Sequence, residues 1–97
     1  MNRILVVCSQ NVCRSPMAEG IIRYIIDKFQ IPGVTVTSAG LSNYDGDAPS
    51  EYACEALSEI GIDISAHRSR PVLYEDIAEA DSIYVMTQQH RDVILEY

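Results

Sequence analysis

Apolar residues fall along this chain in short runs and stripes separated by polar turns. Ile4-Leu5-Val6-Val7 is an unbroken apolar run, with Arg3 at its head. Such runs mark strands covered on both faces, as in parallel sheets. Further on, Met17, Ile21, Tyr24, Ile25 and Phe29 recur at helical spacing. Ser15 is the expected N-cap of that helix and Pro16 its first residue. Pro32-Gly33 ends the helical region. Val34 to Thr37 alternates and is β-branched, which predicts a second strand. Ser38 to Ala48, rich in Gly, Asn and Asp, is predicted as loop. From about Ser50 to Ile60, the positions Ala53, Leu57 and Ile60 form one stripe, and Gly61 is the expected C-cap. Ile62 to Arg70 reads as irregular and Tyr74 to Glu79 as a short helix. Ser82 to Met86 reads as a third strand, and Thr87 can cap a last helix that uses Val93 and Ile94.

The order βαβααβα predicts an α/β fold, a short parallel sheet with flanking helices and right-handed crossovers. Ligands of such sheets bind at the carboxyl ends of the strands, and Cys8 falls at that end of the first. With 97 residues the chain is expected to be a single domain. Its net charge of −7 argues against nucleic acid as a partner. It also means that an anion site here must work through local dipoles and a few well-placed cations. No apolar run approaches the roughly 18 residues of a membrane span, so no membrane partner is expected. Three cysteines are an odd number and too few for a disulfide framework, so a reducing cytoplasm is the expected location. The cysteines form no C-x-x-C pair and His67 and His90 are scattered, so neither a metal nor another cofactor is expected.

Residues 8 to 15 read Cys-Ser-Gln-Asn-Val-Cys-Arg-Ser. Between Cys8 and Arg14, the five residues Ser9, Gln10, Asn11, Val12 and Cys13 can curl so that their amides converge on an anion. The first turn of the following helix adds partial positive charge. Arg14 can grip two phosphate oxygens as a planar fork, which lysine cannot. The same field favours Cys8 as a thiolate. A thiolate facing a held phosphate can attack phosphorus, form a phosphocysteine and be released by water. The Ser15 hydroxyl can donate a hydrogen bond to that sulfur. The plainer reading of Cys8 is a buried core cysteine, and the offsets of Arg14, Ser15 and Pro16 weigh against it. Cys13 is either a packing residue or a redox partner for Cys8, protecting it as a reversible disulfide. Cys54 reads as a small buried hydrophobe.

The stretch Val7 to Glu19, Val-Cys-Ser-Gln-Asn-Val-Cys-Arg-Ser-Pro-Met-Ala-Glu, resembles the signature of the low-molecular-weight protein tyrosine phosphatases. Ser38-Ala39-Gly40, the run from Gly61 to Arg70, and Val85-Met86-Thr87 with His90 match that family in order and spacing. The resemblance implies a phosphotyrosine phosphatase I-like fold with strand order 2-1-3. It implies Cys8 as nucleophile, Arg14 as phosphate clamp and Ser15 as stabiliser of the leaving thiolate. Asn11 would hold the loop in shape, supported by Ser38 and His67. Tyr44 would flank the substrate ring, or be an exposed loop tyrosine.

Two departures alter the expectation. Gln10 stands where the family carries glycine, and would be strained if that position needs a positive φ. Family members are also longer. The domain is expected to lack their final strand, final helix and Asp-Pro loop, whose aspartate protonates the leaving phenol. No Asp-Pro dipeptide occurs here. Losing a general acid typically costs about 10²–10⁴-fold in rate. Asp45 and Asp47 could substitute, although a solvated turn explains both. The third strand would then lie on an exposed edge, where a second copy could pair. Three functions follow: slow hydrolysis of a phosphate monoester on a phosphorylated protein or small aryl phosphate; arsenate reduction, which needs further thiols in relay; or phosphate or protein binding without catalysis.

Overall fold

A computed structural model describes residues 2–42 and 45–95. The elements are β1 (Asn2–Cys8), α1 (Arg14–Lys28), β2 (Val34–Gly40), α2 (Glu51–Ser58), α3 (Tyr74–Glu79), β3 (Ser82–Val85) and α4 (Gln88–Leu95). The three strands form one parallel sheet in the order β2-β1-β3. The apolar run of β1 explains its central place. Leu5, Val6 and Val7 are all nearly inaccessible, and their side chains alternate between the two faces. Leu5 and Val7 join Ala39, Val72 and Ile94 in one core cluster. A second cluster of Ala53, Leu57, Ile62 and Ile64 takes in Met17 from α1.

The second strand runs three residues further than its β-branched pattern predicts. Ser38, Ala39 and Gly40 pair with Val6, Val7 and Cys8, so a segment expected as loop is strand. Pairing with the buried central strand overrides the weak local propensity of Ser, Ala and Gly. This extension brings β2 level with the end of β1, where the cysteine lies.

The first helix departs from expectation at both its cap and its face. It starts at Arg14, with Cys13 at the N-cap and no side-chain cap, so Ser15 is not the capping residue. The hydroxyl of Ser15 is turned inward to the Cys8 sulfur instead. That contact sets the rotation of the helix. Ser15 is buried, and Ala18, Ile22 and Ile26, spaced to share its side, are partly so. The stripe of Ile21, Tyr24, Ile25 and Phe29 is thereby left facing outward, exposed by 37 to 67%. In α2 the expected stripe is cut short: Ala53 and Leu57 are buried, but the helix ends at Ser58 and Ile60 is 61% exposed. Three local signals hold. Ser50 caps α2 by accepting from the Ala53 N–H, Gly61 adopts φ of 82°, and Thr87 Oγ1 accepts from the His90 N–H.

Candidate active site

The link from β1 to α1 is built around Asn11, whose side chain is fully buried and whose φ is 60°. Asparagine tolerates this left-handed conformation better than most residues. Each polar group of Asn11 has a partner. Its backbone N–H donates to Cys8 Sγ at 3.2 Å, and its carbonyl accepts from His67 Nε2 at 3.0 Å. Its Oδ1 accepts from the Arg70 N–H at 3.1 Å. Its Nδ2 donates to Ser15 Oγ at 2.7 Å and to Ser38 Oγ at 2.9 Å.

These bonds fix the direction of their neighbours. The Ser15 oxygen accepts a hydrogen bond from Asn11 Nδ2, so its own proton is free to point at Cys8 Sγ, 3.0 Å away. The sulfur therefore faces two donors, the Asn11 amide and the Ser15 hydroxyl. Both complement a thiolate. Since a carbonyl can only accept, His67 carries its proton on Nε2. Ser38 in turn donates to Glu19 Oε1 at 2.5 Å, and Glu19 pairs with Arg23 at 2.8 Å. Arg23 also donates to the Val36 carbonyl at 2.9 Å, which ties this chain back to β2.

Arg70 supports the loop from the other side. Its guanidinium makes two bonds to Asp76, at 2.9 and 3.0 Å, while its carbonyl accepts from the Gly40 N–H. Asp76 also accepts from the Leu73 N–H at the start of α3. Burial pushes the Asp76 carboxyl up, but the Arg70 and Leu73 hydrogen bonds and the guanidinium charge outweigh it. The net result lies below the usual carboxylate range.

Gly40 lets β2 pass beneath the loop. A Cβ there would lie 2.9 Å from the Gln10 carbonyl carbon and 3.1 Å from the Asn11 nitrogen. Gln10 itself is not among the positive-φ residues, so the strain expected from replacing glycine at that position does not arise. The left-handed turn falls one residue later, on Asn11.

In front of the sulfur is a cavity of about 300 Å³. Its floor and near wall come from Cys8, Ser9, Gln10, Val12, Cys13 and Arg14, and its far wall from Thr87, Gln89 and His90. The backbone N–H groups of Ser9, Gln10, Val12, Cys13 and Arg14 donate to no described residue. Arg14 forms no ion pair among the described residues. A wall of free N–H donors beside an uncommitted guanidinium suits an oxyanion with several acceptor oxygens.

The remaining residues named from sequence are placed as follows. Cys13 lines the cavity and also packs on the second core cluster, where Cys54 lies; all three cysteines are free thiols. Asp45 and Asp47 are exposed and neither lines the cavity. The Asp47 N–H donates to Ser69 Oγ instead, and its carbonyl accepts from the Ser69 N–H. Tyr44 lies outside the described residues. Among the described residues there is no cluster of His, Cys, Asp or Glu able to hold a metal ion. Sequence reading gave no role to Glu19, Gly40, Arg70, Asp76 or His90, although most lie within its matched stretches. Several of their partners lie 19 to 81 positions away and leave no local signal.

Strand, buried cysteine, hydrogen-bonded loop, arginine and helix start together define an α/β protein with a cysteine–arginine anion loop. Residues 3–97 match the model of the family described as low molecular weight phosphotyrosine protein phosphatase, and the chain belongs to that family. A protein-arginine-phosphatase of Geobacillus stearothermophilus is 43% identical over 94 residues, covering 97% of this chain and 60% of that protein. A probable low molecular weight protein-tyrosine-phosphatase of Ralstonia solanacearum is 42% identical over 83 residues, covering 86% of this chain and 54% of the relative. Among solved structures, the low molecular weight protein tyrosine phosphatase from T. tengcongensis superposes with a TM-score of 0.91 at 38% identity. It covers 100% of this chain and 67% of the other. The chain thus spans little more than half the length of the first two relatives.

Proposed function

We propose that these 97 residues act as one unit that hydrolyses phosphate monoesters through a phosphocysteine. The Cys8 thiolate attacks phosphorus; the S–P bond forms as the P–O bond to the leaving group breaks. Arg14 and the free loop amides hold the three remaining phosphoryl oxygens, where charge spreads in the transition state. Water then attacks phosphorus and Cys8 departs as a thiolate, stabilised by Ser15. The observation that carries this reading is the sulfur held between two hydrogen-bond donors at the floor of a cavity walled by free N–H groups.

Relatives are named for both arginine and tyrosine phosphatase activity. We favour phosphotyrosine and small aryl phosphates. The described cavity wall contains Val12 and no carboxylate, so it offers an apolar contact to a ring and no counter-charge to a guanidinium. Three free thiols fit a reducing compartment such as the cytoplasm. A thiol relay for arsenate reduction gains no support, since Cys54 does not line the cavity. β3 lies at a sheet edge with Tyr84 exposed, so pairing with a second copy is proposed there. Sedimentation should then show a dimer that a proline at Tyr84 disperses.

The central test measures phosphate release from an aryl phosphate with an acidic phenol, and from phosphotyrosine and phosphoarginine peptides, by this chain and its Cys8→Ser variant. Cys8-dependent release with the aryl substrates preferred supports the proposal. Binding of phosphate without turnover would sink it in favour of a non-catalytic role, and a preference for phosphoarginine would overturn the substrate assignment.

A further inference from the structure

Glu19 does not line the cavity, yet it closes a chain of hydrogen bonds that ends on the sulfur. A carboxylate can only accept. One Glu19 oxygen accepts from the Ser38 hydroxyl at 2.5 Å, and the other accepts from Arg23 at 2.8 Å. Ser38 has a single proton, so towards Asn11 Nδ2, 2.9 Å away, it must be the acceptor. That fixes the Asn11 amide, with its NH2 toward Ser38 and Ser15 and its oxygen toward the Arg70 N–H. Ser15 in turn accepts from Asn11, which leaves its own proton for Cys8 Sγ at 3.0 Å. Turning the Asn11 amide over would set its oxygen against Ser15, which would then donate there and not to the sulfur. Two groups oppose that turn. The Arg70 N–H would meet an NH2, and the Ser38 oxygen, its proton committed to Glu19, would meet a carbonyl oxygen.

Resting on the phosphatase reading, we propose that Glu19 is a positioning residue for the second half of the reaction: through Ser38 and Asn11 it keeps the Ser15 hydroxyl aimed at the departing sulfur. In that step water forms a new P–O bond as the S–P bond breaks. The electron pair of the broken bond stays on Cys8 Sγ, and both water protons end on the released phosphate. The Ser15 hydrogen bond stabilises the charge that appears on sulfur. In the first half the same bond cuts both ways, since a stabilised thiolate is also a weaker nucleophile. Misdirecting Ser15 should therefore tell mainly on breakdown of the phosphocysteine. Arg23 sharpens the requirement for a carboxylate. An arginine only donates, so the amide in Glu19→Gln turns its oxygen to Arg23 and its NH2 to Ser38. Ser38 then meets a donor where it had an acceptor, and its own proton becomes available to the Asn11 oxygen.

The test separates formation of the phosphocysteine from its breakdown, using a radiolabelled aryl phosphate whose phenol is acidic. Rapid mixing reads the first release of phenol, and acid quenching reads the phosphate held on the chain. For Glu19→Gln we expect formation within about threefold of the unaltered chain and breakdown about tenfold slower, the size of effect that one misdirected buried hydrogen bond produces. Labelled chain should therefore accumulate. Ser38→Ala cuts the chain of bonds in the middle and should slow breakdown by about tenfold as well, and adding Glu19→Gln to it should bring no further loss. Unchanged breakdown, an equal fall in both steps, or a Glu19→Gln loss undiminished without the Ser38 hydroxyl would overturn the positioning role and leave the phosphatase reading intact. Absence of Cys8-dependent phenol release from the unaltered chain would overturn both. If circular dichroism shows that Glu19→Gln does not fold, Ser38→Ala decides alone, because it must slow breakdown and spare formation.

Discussion

The back of the anion loop and its mouth are built on opposite plans. Behind the loop, Asn11, Ser15 and Ser38 are buried, and every polar group of Asn11 has a partner. At the mouth, Ser9, Gln10 and Arg14 are exposed, and the loop amides have no described partner. The contrast separates two tasks. Holding amides ready for an oxyanion needs a rigid frame made before the substrate arrives, so little is reorganised during reaction. Meeting different leaving groups needs a wall that can vary. Substitutions behind the loop should therefore affect fold and rate together, and those at the mouth, Arg14 included, should affect rate or substrate dependence with little effect on the fold.

The largest departure should come from Asn11→Ala. It leaves the Arg70 N–H, Ser15 and Ser38 short of a buried partner at once, each worth about 1–3 kcal/mol. A drop of several kcal/mol in urea unfolding is expected, with loss of turnover. Retained stability would show that the back of the loop is not a single network. Next comes Gly40→Ala, whose added methyl must push Gln10 and Asn11 away. Overpacking of this kind costs about 1–3 kcal/mol. The displaced loop should lose about 10²-fold in kcat/KM, more than the stability change alone produces at a temperature where the protein stays folded.

A smaller effect concerns pH. The Asp76 carboxyl titrates below its unfolded value of 3.8. Its contribution to stability is thus complete above that value and decays as pH falls through the lower folded value. Asp76→Asn should be less stable than the unaltered protein at neutral pH, and the two curves should converge below about pH 3.8. A gap that persists in acid would mean that packing, not charge, holds Arg70. The smallest effect is expected for Gln10→Gly. Gln10 carries no positive φ to relieve, so stability should change by at most about 1 kcal/mol, and downward, from added chain freedom. A gain would show that glutamine is strained there after all.

Strand, loop and helix start were legible in residues 4–16 because their signals are local: an apolar run, a fixed cysteine–arginine spacing and a proline. The strand order follows from the family resemblance, not from the local pattern. Less local features were read less well. Ser15 has the chemistry of a cap, yet its oxygen accepts from the buried Asn11 amide and its hydroxyl faces the sulfur, so it does not serve the helix N–H groups. That choice turned the apolar stripe of α1 outward, which periodicity alone cannot foresee. Asn11, Ser38 and His67, named together from the sequence, meet in the structure. The members that complete their network, Glu19 and Arg70, act through one carboxylate oxygen and one backbone N–H, which no residue pattern encodes. Gly40 was visible as a glycine, but its reason is a neighbour 30 positions earlier in the chain.

β1 is flanked by a parallel neighbour on each side, and its last residue is Cys8. Strands in that position are commonly the last to exchange their amide hydrogens, since freeing them requires opening the whole domain. The thiol is thus mounted on the slowest-breathing segment of the molecule. Partial fraying of α4 or of the β3 edge would disturb the cavity's far wall long before it loosened the sulfur from its donors.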